Sequence, residues 1–330
     1  MFTAGKSESA RILVVRLGAM GDILHTLPAV ASLKSSHPES RLTWVVEAKW
    51  AALLEGNPFV DRVVLLRRAS AATLLESWRE LRSERYQIAV DFQGLLKSAL
   101  VAAAARPGRI FGFDSALLRE RAAGIFYSKR VFSSAVHVVD RNLDLAAAVG
   151  TSSTVRVFPL PAGRPEGELP AGDFVLASPL AGWGSKQWPA EHYRALAGRL
   201  RDELGMPLVL DLPAGAAFPS MDGAATHASS LAGLIDATRR AAAVVGVDSG
   251  PLHLAAALGK PGVAIFGPTD PARNGPYGGT LRVLREEDAV TTYKRNSPAD
   301  DSMVRISPGQ VFEALRAVLD ERSNSAGLRA

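Results

Sequence analysis

The sequence predicts an α/β protein made of two doubly wound domains of parallel sheet that face each other across a central cleft. Three observations point there. The chain has 330 residues, more than a single hydrophobic core usually covers. Short β-branched runs alternate with Ala/Leu-rich helical stretches along its whole length, the pattern of repeated βαβ units. A proline- and glycine-rich break follows residue 157, and the same alternation restarts behind it.

Taken in order, Ile12 to Leu17 reads as the first strand and 22–35 as a helix. Strands follow at 42–46 and 63–66, then a helix at 71–84 and a strand at 88–92. A helix at 95–105, a strand at 109–113 and a helix at 139–148 close the first half. Residues 158–172 hold four prolines and three glycines with no apolar periodicity, the composition of an interdomain linker. The expected division is a first domain at 1–160, a linker at 161–172 and a second domain at 173–330. The second half reads strand 174–177, helix 190–203, strand 207–212, helix 230–241, strand 243–247, helix 251–258 and strand 263–266. Ser307-Pro308 is a cap followed by a first-turn proline, opening a last helix at 309–322, with a frayed tail from Ser323. In such folds ligands sit at the carboxyl ends of the strands.

Composition narrows the function classes. Apolar residues make up 47% and charged residues 22%, an ordinary globular balance. With no cysteine in the chain, a disulfide scaffold, a thiolate zinc site and a cysteine nucleophile are excluded. No apolar run approaches the roughly 18 residues of a membrane span, and the N-terminal residues lack the apolar core of a signal peptide. A cytoplasmic protein is expected. The net charge of +5 is uneven: residues 1–160 carry 21 Lys and Arg against 14 Asp and Glu, and residues 161–330 carry 17 against 19. A basic half suits an anionic substrate, an anionic membrane surface or nucleic acid. At 7% aromatic residues and with no lysine-rich tract, nucleic acid is the least favoured of these.

Four segments carry candidate chemistry. Arg16-Leu17-Gly18-Ala19-Met20-Gly21-Asp22 ends a strand in a G-x-x-G turn. This is not the G-x-G-x-x-G of a dinucleotide site, so a dehydrogenase is disfavoured. Asp22 reads either as the cap of the following helix or as a carboxylate able to take a proton from a hydroxyl. Val247-Asp248-Ser249-Gly250-Pro251-Leu252-His253 runs from strand to helix. Backbone N–H groups from Ser249 to Leu252 and the helix dipole would attract an anion there, with His253 in the first turn. The loop Trp183-Gly184-Ser185-Lys186 offers a lysine that either reaches a phosphate or is simply solvated. The fourth is the basic set Arg67, Arg68, Lys97, Arg106, Arg109, Arg119, Arg121, Lys129 and Arg130, whose arginines suit carboxylate or phosphate.

Together, RLGAMGD at 16–22, DFQGLLKSA at 91–99, GWGSKQWP at 182–189, VDSGPLHLAAALGKP at 247–261 and FGPTDPARNGPYG at 266–278 resemble the bacterial lipopolysaccharide heptosyltransferases of glycosyltransferase family 9. Within that family the segments at 91–99 and 112–131 are most similar to heptosyltransferase I. The resemblance implies two Rossmann-like domains of the GT-B type and transfer of heptose from ADP-heptose to the Kdo-lipid A inner core, with inversion at the anomeric carbon. It makes Asp22 the catalytic base. It assigns Gly21, Lys186, Asp248, Ser249, Gly250 and His253 to the nucleotide sugar, and Arg67, Arg68, Gln93, Lys97, Arg119 and Arg121 to the anionic acceptor. Lys186 and the amides after Asp248 would take the place of a divalent cation on the leaving diphosphate, so no metal or other cofactor is expected. Because that acceptor is a membrane lipid, the basic half would also lie against the inner face of the inner membrane.

Two departures from the family pattern stand out. Ala181 and Gly182 replace hydroxyl residues before the lysine loop, and the loop 213–223, where an acid is expected to hold ribose, contains only Asp222. The alternatives are the same fold with another donor or acceptor, or a nucleotide-binding protein without transferase activity.

Overall fold

A computed structural model describes residues 9–292 and 300–327 of the chain, with side chains as far as residue 322. Residues 1–8, over which no leader is expected, lie outside the described residues. The chain divides into two compact units, residues 1–161 and 162–330.

In the first unit six strands form one parallel sheet: β1 (Arg11–Val15), β2 (Arg41–Glu47), β3 (Arg62–Leu66), β4 (Ile88–Asp91), β5 (Arg109–Phe113) and β6 (Lys129–Val131). Their order across the sheet is β3-β2-β1-β4-β5-β6. The second unit repeats the plan with β7 (Val175–Ser178), β8 (Leu208–Pro213), β9 (Ala224–Ser229), β10 (Ala243–Val247), β11 (Gly262–Phe266) and β12 (Leu281–Arg285), ordered β12-β11-β10-β7-β8-β9. Counted from its own first strand, each sheet therefore has the doubly wound order 3-2-1-4-5-6.

The central strands are apolar throughout because both faces are covered by helices. Every residue of β10 and β11 is buried. In the second unit Tyr193, Leu196 and Leu200 of the helix Ala190–Leu204, with Phe312 and Leu315 of the helix Pro308–Gly327, close over Val175, Val245 and Ile265. Trp188 anchors the entry to that layer, donating from Nε1 to the carbonyl of Ile306 at 2.8 Å.

Each sheet reverses winding direction once, between β1 and β4 and between β7 and β10. At such a point the loops leaving the two strands run to opposite faces and open a crevice at the carboxyl ends. The loop after β1 carries residues 16–19 and leads into the helix Met20–Leu24 with Asp22, and the loop after β4 carries Gln93 and leads into the helix Leu96–Ala104 with Lys97. A short helical turn after β7 ends at Lys186, and the turn after β10 carries Asp248 and Ser249. All of the central candidates thus fall at one of the two switch points.

The structure departs from the expected elements in four ways. Strand β1 stops at Val15, so Arg16 and Leu17 belong to the loop. The helix expected at 22–35 is two helices, Met20–Leu24 and Leu27–Ser36. Pro28 has no N–H to continue the first one, and Thr26, at the N-cap position of the second, makes no side-chain cap but donates its hydroxyl to the Asp22 carbonyl at 2.8 Å. Strands β6, β9 and β12 were not anticipated; all three are sheet edges, where exposure removes the buried run that marks a strand. The last helix continues to Gly327, past the expected fraying point at Ser323.

Candidate functional site

In the first unit the loop after β1 is tied to the loop after β4. The backbone N–H of Leu17 donates to Gln93 Oε1 at 2.8 Å, and Arg16 NH1 donates to the carbonyl of Phe92 at 2.5 Å. Gly18 is pressed against Trp50: a Cβ at that position would lie 2.8 Å from the indole nitrogen. A larger residue at Gly18 would therefore force the Trp50 indole to shift, so the first glycine of the turn serves close packing.

Asp22 is not the helix cap. Ala19 holds that position and Asp22 is the third helical residue. Its Oδ2 accepts the Ala19 N–H at 3.2 Å, the return half of a capping box. Its Oδ1 lies 2.6 Å from Arg16 NH2. The Asp22 side chain is 47% exposed while that of Arg16 is 7% exposed. A carboxylate oriented at both oxygens and still open to solvent is suited to accept a proton from a bound hydroxyl.

Asp91 ends β4 fully buried and shapes the loop that follows it. It receives the N–H groups of Gln93 at 2.9 Å and Gly94 at 3.2 Å, the Ser98 hydroxyl at 2.8 Å and the Tyr127 hydroxyl at 2.7 Å. Burial raises its pKa above the usual carboxylate value, with those four hydrogen bonds pulling the other way. Burial and the Asp91 charge push the Tyr127 phenol up in turn. Tyr127 reaches Asp91 because β5 has a glycine at 112, where a Cβ would collide with the ring.

The candidate acceptor cations separate into two sets. Arg68 and Lys97 converge on Glu47 at the end of β2: Arg68 NH2 is 2.6 Å and Lys97 Nζ 3.3 Å from Glu47 Oε1. Arg67, with Glu47, Lys49, Arg68 and Thr73, lines an open pocket. Its backbone N–H is held by the Ser77 hydroxyl at 3.0 Å, and its side chain is exposed. Arg119 and Arg121 are exposed on either side of Glu120, whose carboxylate accepts the Leu96 N–H at 2.8 Å. Glu47 carries no signal in the linear sequence, since its partners lie 21 and 50 residues away.

In the second unit the switch point gathers Lys186, Asp248 and His253. Lys186 Nζ lies 2.5 Å from Asp248 Oδ2 and 4.3 Å from the centroid of the Trp183 ring, a salt bridge and a cation–π contact at once. His253 Nε2 is 3.4 Å from Asp248 Oδ1. Burial opposes ionisation of Asp248, but the His253 hydrogen bond and the charges of His253 and Lys186 outweigh it and hold the carboxyl below its ordinary range. Ser249 precedes the helix Gly250–Ala257 and its hydroxyl does not cap it. Pro251 has no N–H, so Gly250 and Leu252 supply the first-turn donors that a helix leaves without internal partners. The buried hydroxyls of Ser185, Ser249 and Thr269 have no hydrogen-bond partner among the described residues. Gly21, assigned with this set by resemblance, lies in the first unit, where its carbonyl accepts the His25 N–H at 2.9 Å.

The loop 213–223 packs on the core of its own unit. Phe218 meets the Tyr193 ring edge-on at 5.9 Å between centroids, and Met221 rests on the same core.

A sequence model of glycosyltransferase family 9 (heptosyltransferase) matches residues 74–301. This chain belongs to glycosyltransferase family 9. Lipopolysaccharide heptosyltransferase 1 of Escherichia coli K12 is 33% identical over 303 residues, covering 83% of this chain and 93% of that protein. Lipopolysaccharide heptosyltransferase 1 of Pseudomonas aeruginosa is 32% identical over 357 residues, covering 94% and 98%. The solved structure of the E. coli heptosyltransferase WaaC with ADP superimposes with a TM-score of 0.76 at 27% identity, over 93% of this chain and 99% of that one. WaaC with ADP-2-deoxy-2-fluoro heptose gives 0.73, over 94% and 99%. The two six-stranded parallel sheets of this family 9 chain are thus a GT-B arrangement of known kind.

Proposed function

We propose that the protein is a lipopolysaccharide heptosyltransferase that moves heptose from ADP-heptose to the Kdo-lipid A inner core. The observation that carries this reading is the cluster of Lys186, Asp248 and His253 at the switch point of the second sheet, beside a helix start, in a member of this family. Two relatives named for this activity are more than 30% identical over most of the chain, and WaaC was solved with ADP and with a fluorinated ADP-heptose.

In this reading the second unit binds the donor. The diphosphate takes hydrogen bonds from the Gly250 and Leu252 amides and charge from Lys186 and His253, which Asp248 orients. Negative charge grows on the diphosphate as its bond to the anomeric carbon breaks, so donors already in place stabilise the transition state more than the ground state. The first unit binds the acceptor. Its carboxylates and phosphates meet Arg67, Arg68, Lys97, Arg119 and Arg121, with Gln93 setting the loop. Asp22 takes the proton from the acceptor hydroxyl as its oxygen attacks the anomeric carbon opposite the departing ADP, which inverts the configuration. The basic first unit holds the protein at the inner face of the membrane through anionic lipid headgroups. Among the described residues no helix is long and apolar enough to cross a membrane.

A second reading keeps the chemistry and changes the nucleotide sugar. It is favoured by the loop after β8, which packs Phe218 on Tyr193 and offers no acid besides Asp222 for a ribose. Thermal-shift titration with ADP, UDP, GDP and NAD separates the readings. The heptosyltransferase reading expects stabilisation by ADP above the others. Preference for UDP or GDP would favour the second reading, and preference for NAD would remove both.

A further inference from the structure

Arg16 has no role in the chemistry above, yet its surroundings are unusual for an arginine. It is the first residue beyond β1 and is only 6% exposed. A guanidinium so deeply placed is costly unless it is paired. Two of its nitrogens are used in different directions: NH1 donates to the carbonyl of Phe92 at 2.5 Å, and NH2 meets Asp22 Oδ1 at 2.6 Å. Asp22 is its ion-pair partner among the described residues.

The arginine is itself fixed at its root. Its carbonyl accepts the indole N–H of the fully buried Trp44 at 3.1 Å. The next backbone N–H, of Leu17, is held by Gln93 at 2.8 Å. The guanidinium thus spans from the carboxyl end of β4 to the half-exposed carboxylate of Asp22. An exposed ion pair of two flexible side chains would fix little. Here one partner is immobilised by packing and by a backbone carbonyl, so it fixes the other.

We propose that Arg16 is the positioning residue of the transfer reaction: anchored on Phe92, it orients the Asp22 carboxylate to receive the acceptor proton. This rests on the assignment of Asp22 as base. One carboxylate oxygen is held by Arg16 and the other by the Ala19 N–H, so rotation of the group about its side-chain bonds would break one contact or both. The anchor is a carbonyl between Asp91 and Gln93, so Arg16 also ties the base to the loop that carries the acceptor-side residues.

The test is a set of steady-state measurements on the full chain with ADP-heptose and Kdo-lipid A. The variants are Arg16→Met, Arg16→Lys, Asp22→Asn and the Arg16→Met/Asp22→Asn double. Loss of orientation at a reacting group costs ~10²-fold in rate. Arg16→Met should lose about that much in kcat while the acceptor KM and ADP affinity stay near wild type. Arg16→Lys, which keeps a charge able to reach Asp22, should recover part of it. The double variant should be no slower than Asp22→Asn, because residues that act as one unit are not additive. If Arg16→Met yields no folded protein, Arg16→Gln, which keeps an N–H donor without the charge, carries the same test. Unchanged kcat in the Arg16 variants beside an inactive Asp22→Asn would overturn the positioning role alone. So would a double variant whose two losses multiply, or a kcat loss matched by an equal loss of ADP affinity. An active Asp22→Asn would overturn the base assignment, and this role with it.

Discussion

Lys186 Nζ and Asp248 Oδ2 are 2.5 Å apart, with His253 Nε2 approaching the other oxygen of the same carboxylate at 3.4 Å. One buried acid thereby holds two cationic or potentially cationic groups beside the start of the helix Gly250–Ala257. In the proposed reaction a diphosphate enters this arrangement and takes up the donors that Asp248 has aligned.

Replacement of Lys186 by alanine should therefore raise the donor KM and lower kcat, by ~10-fold or more in kcat/KM for one lost charge-assisted hydrogen bond. The acceptor KM should not move. Steady-state kinetics with each substrate varied in turn provide the check. Unchanged values for both substrates would make Lys186 a structural lysine.

Asp248 should make stability depend on pH in one direction. Its pKa is held down in the fold by His253 and Lys186 against the effect of burial. A depressed carboxyl contributes stability that is fully present above its unfolded value, near 4, and is lost as pH falls towards the folded one. Asp248→Asn should thus be less stable than wild type by about 3 kcal/mol at neutral pH, as expected when one partner of a buried pair is removed. The gap should narrow only in acid, below about pH 4. Denaturant titrations of both proteins from acid to neutral pH measure it. A gap that does not narrow in acid would place its origin outside the Asp248 carboxylate.

Arg68 and Lys97 share Glu47, so their effects on the acceptor should be linked. Changing both to alanine should raise the acceptor KM by ~10-fold or more, on the order of 1.5–3 kcal/mol for a hydrogen bond to a charged group, and leave the donor KM alone. The effect should shrink with added salt, because both side chains are half-exposed and screened. A rise in the donor KM, or no change in either, would move the acceptor site elsewhere.

Turnover should persist in excess EDTA, since Lys186, His253 and the helix amides are proposed to meet the charge of the leaving diphosphate. A complete loss that magnesium restores would contradict this.

Much of the fold is legible in the chain because the central strands of both sheets are continuous apolar runs: ILVV in β1, AVVGV in β10 and GVAIF in β11. The edge strands β6, β9 and β12 are not, since KRV keeps both charges in solvent and AATHAS buries only His227, so neither contains a buried apolar run. The break at Pro28 is written in the sequence, yet the apolar residues on either side of it read as one helix. Among site residues, Lys186, Asp248 and His253 are visible as strand-to-helix motifs. Their mutual pairing is not, because 62 residues separate the lysine from the aspartate. Glu47 escapes for the same reason, and so does the anchor of Arg16 on Phe92, 76 residues away. Arg16 stands in the RLGAMGD segment, but its tie to the loop after β4, like the gathering of cations on Glu47, exists only through the β2-β1-β4 order.

Transfer of heptose from an adenine nucleotide sugar to an inner-core acceptor, with Asp22 as base, is open to direct measurement. Mass spectrometry of Kdo-lipid A after incubation with the purified chain and ADP-heptose tests it most directly, with Asp22→Asn in parallel. The acceptor should gain the mass of one heptose residue with the wild-type chain, and the Asn variant should be slower by ~10²-fold or more. An acceptor left unchanged by the wild-type chain, or modified as fast by Asp22→Asn, would contradict it.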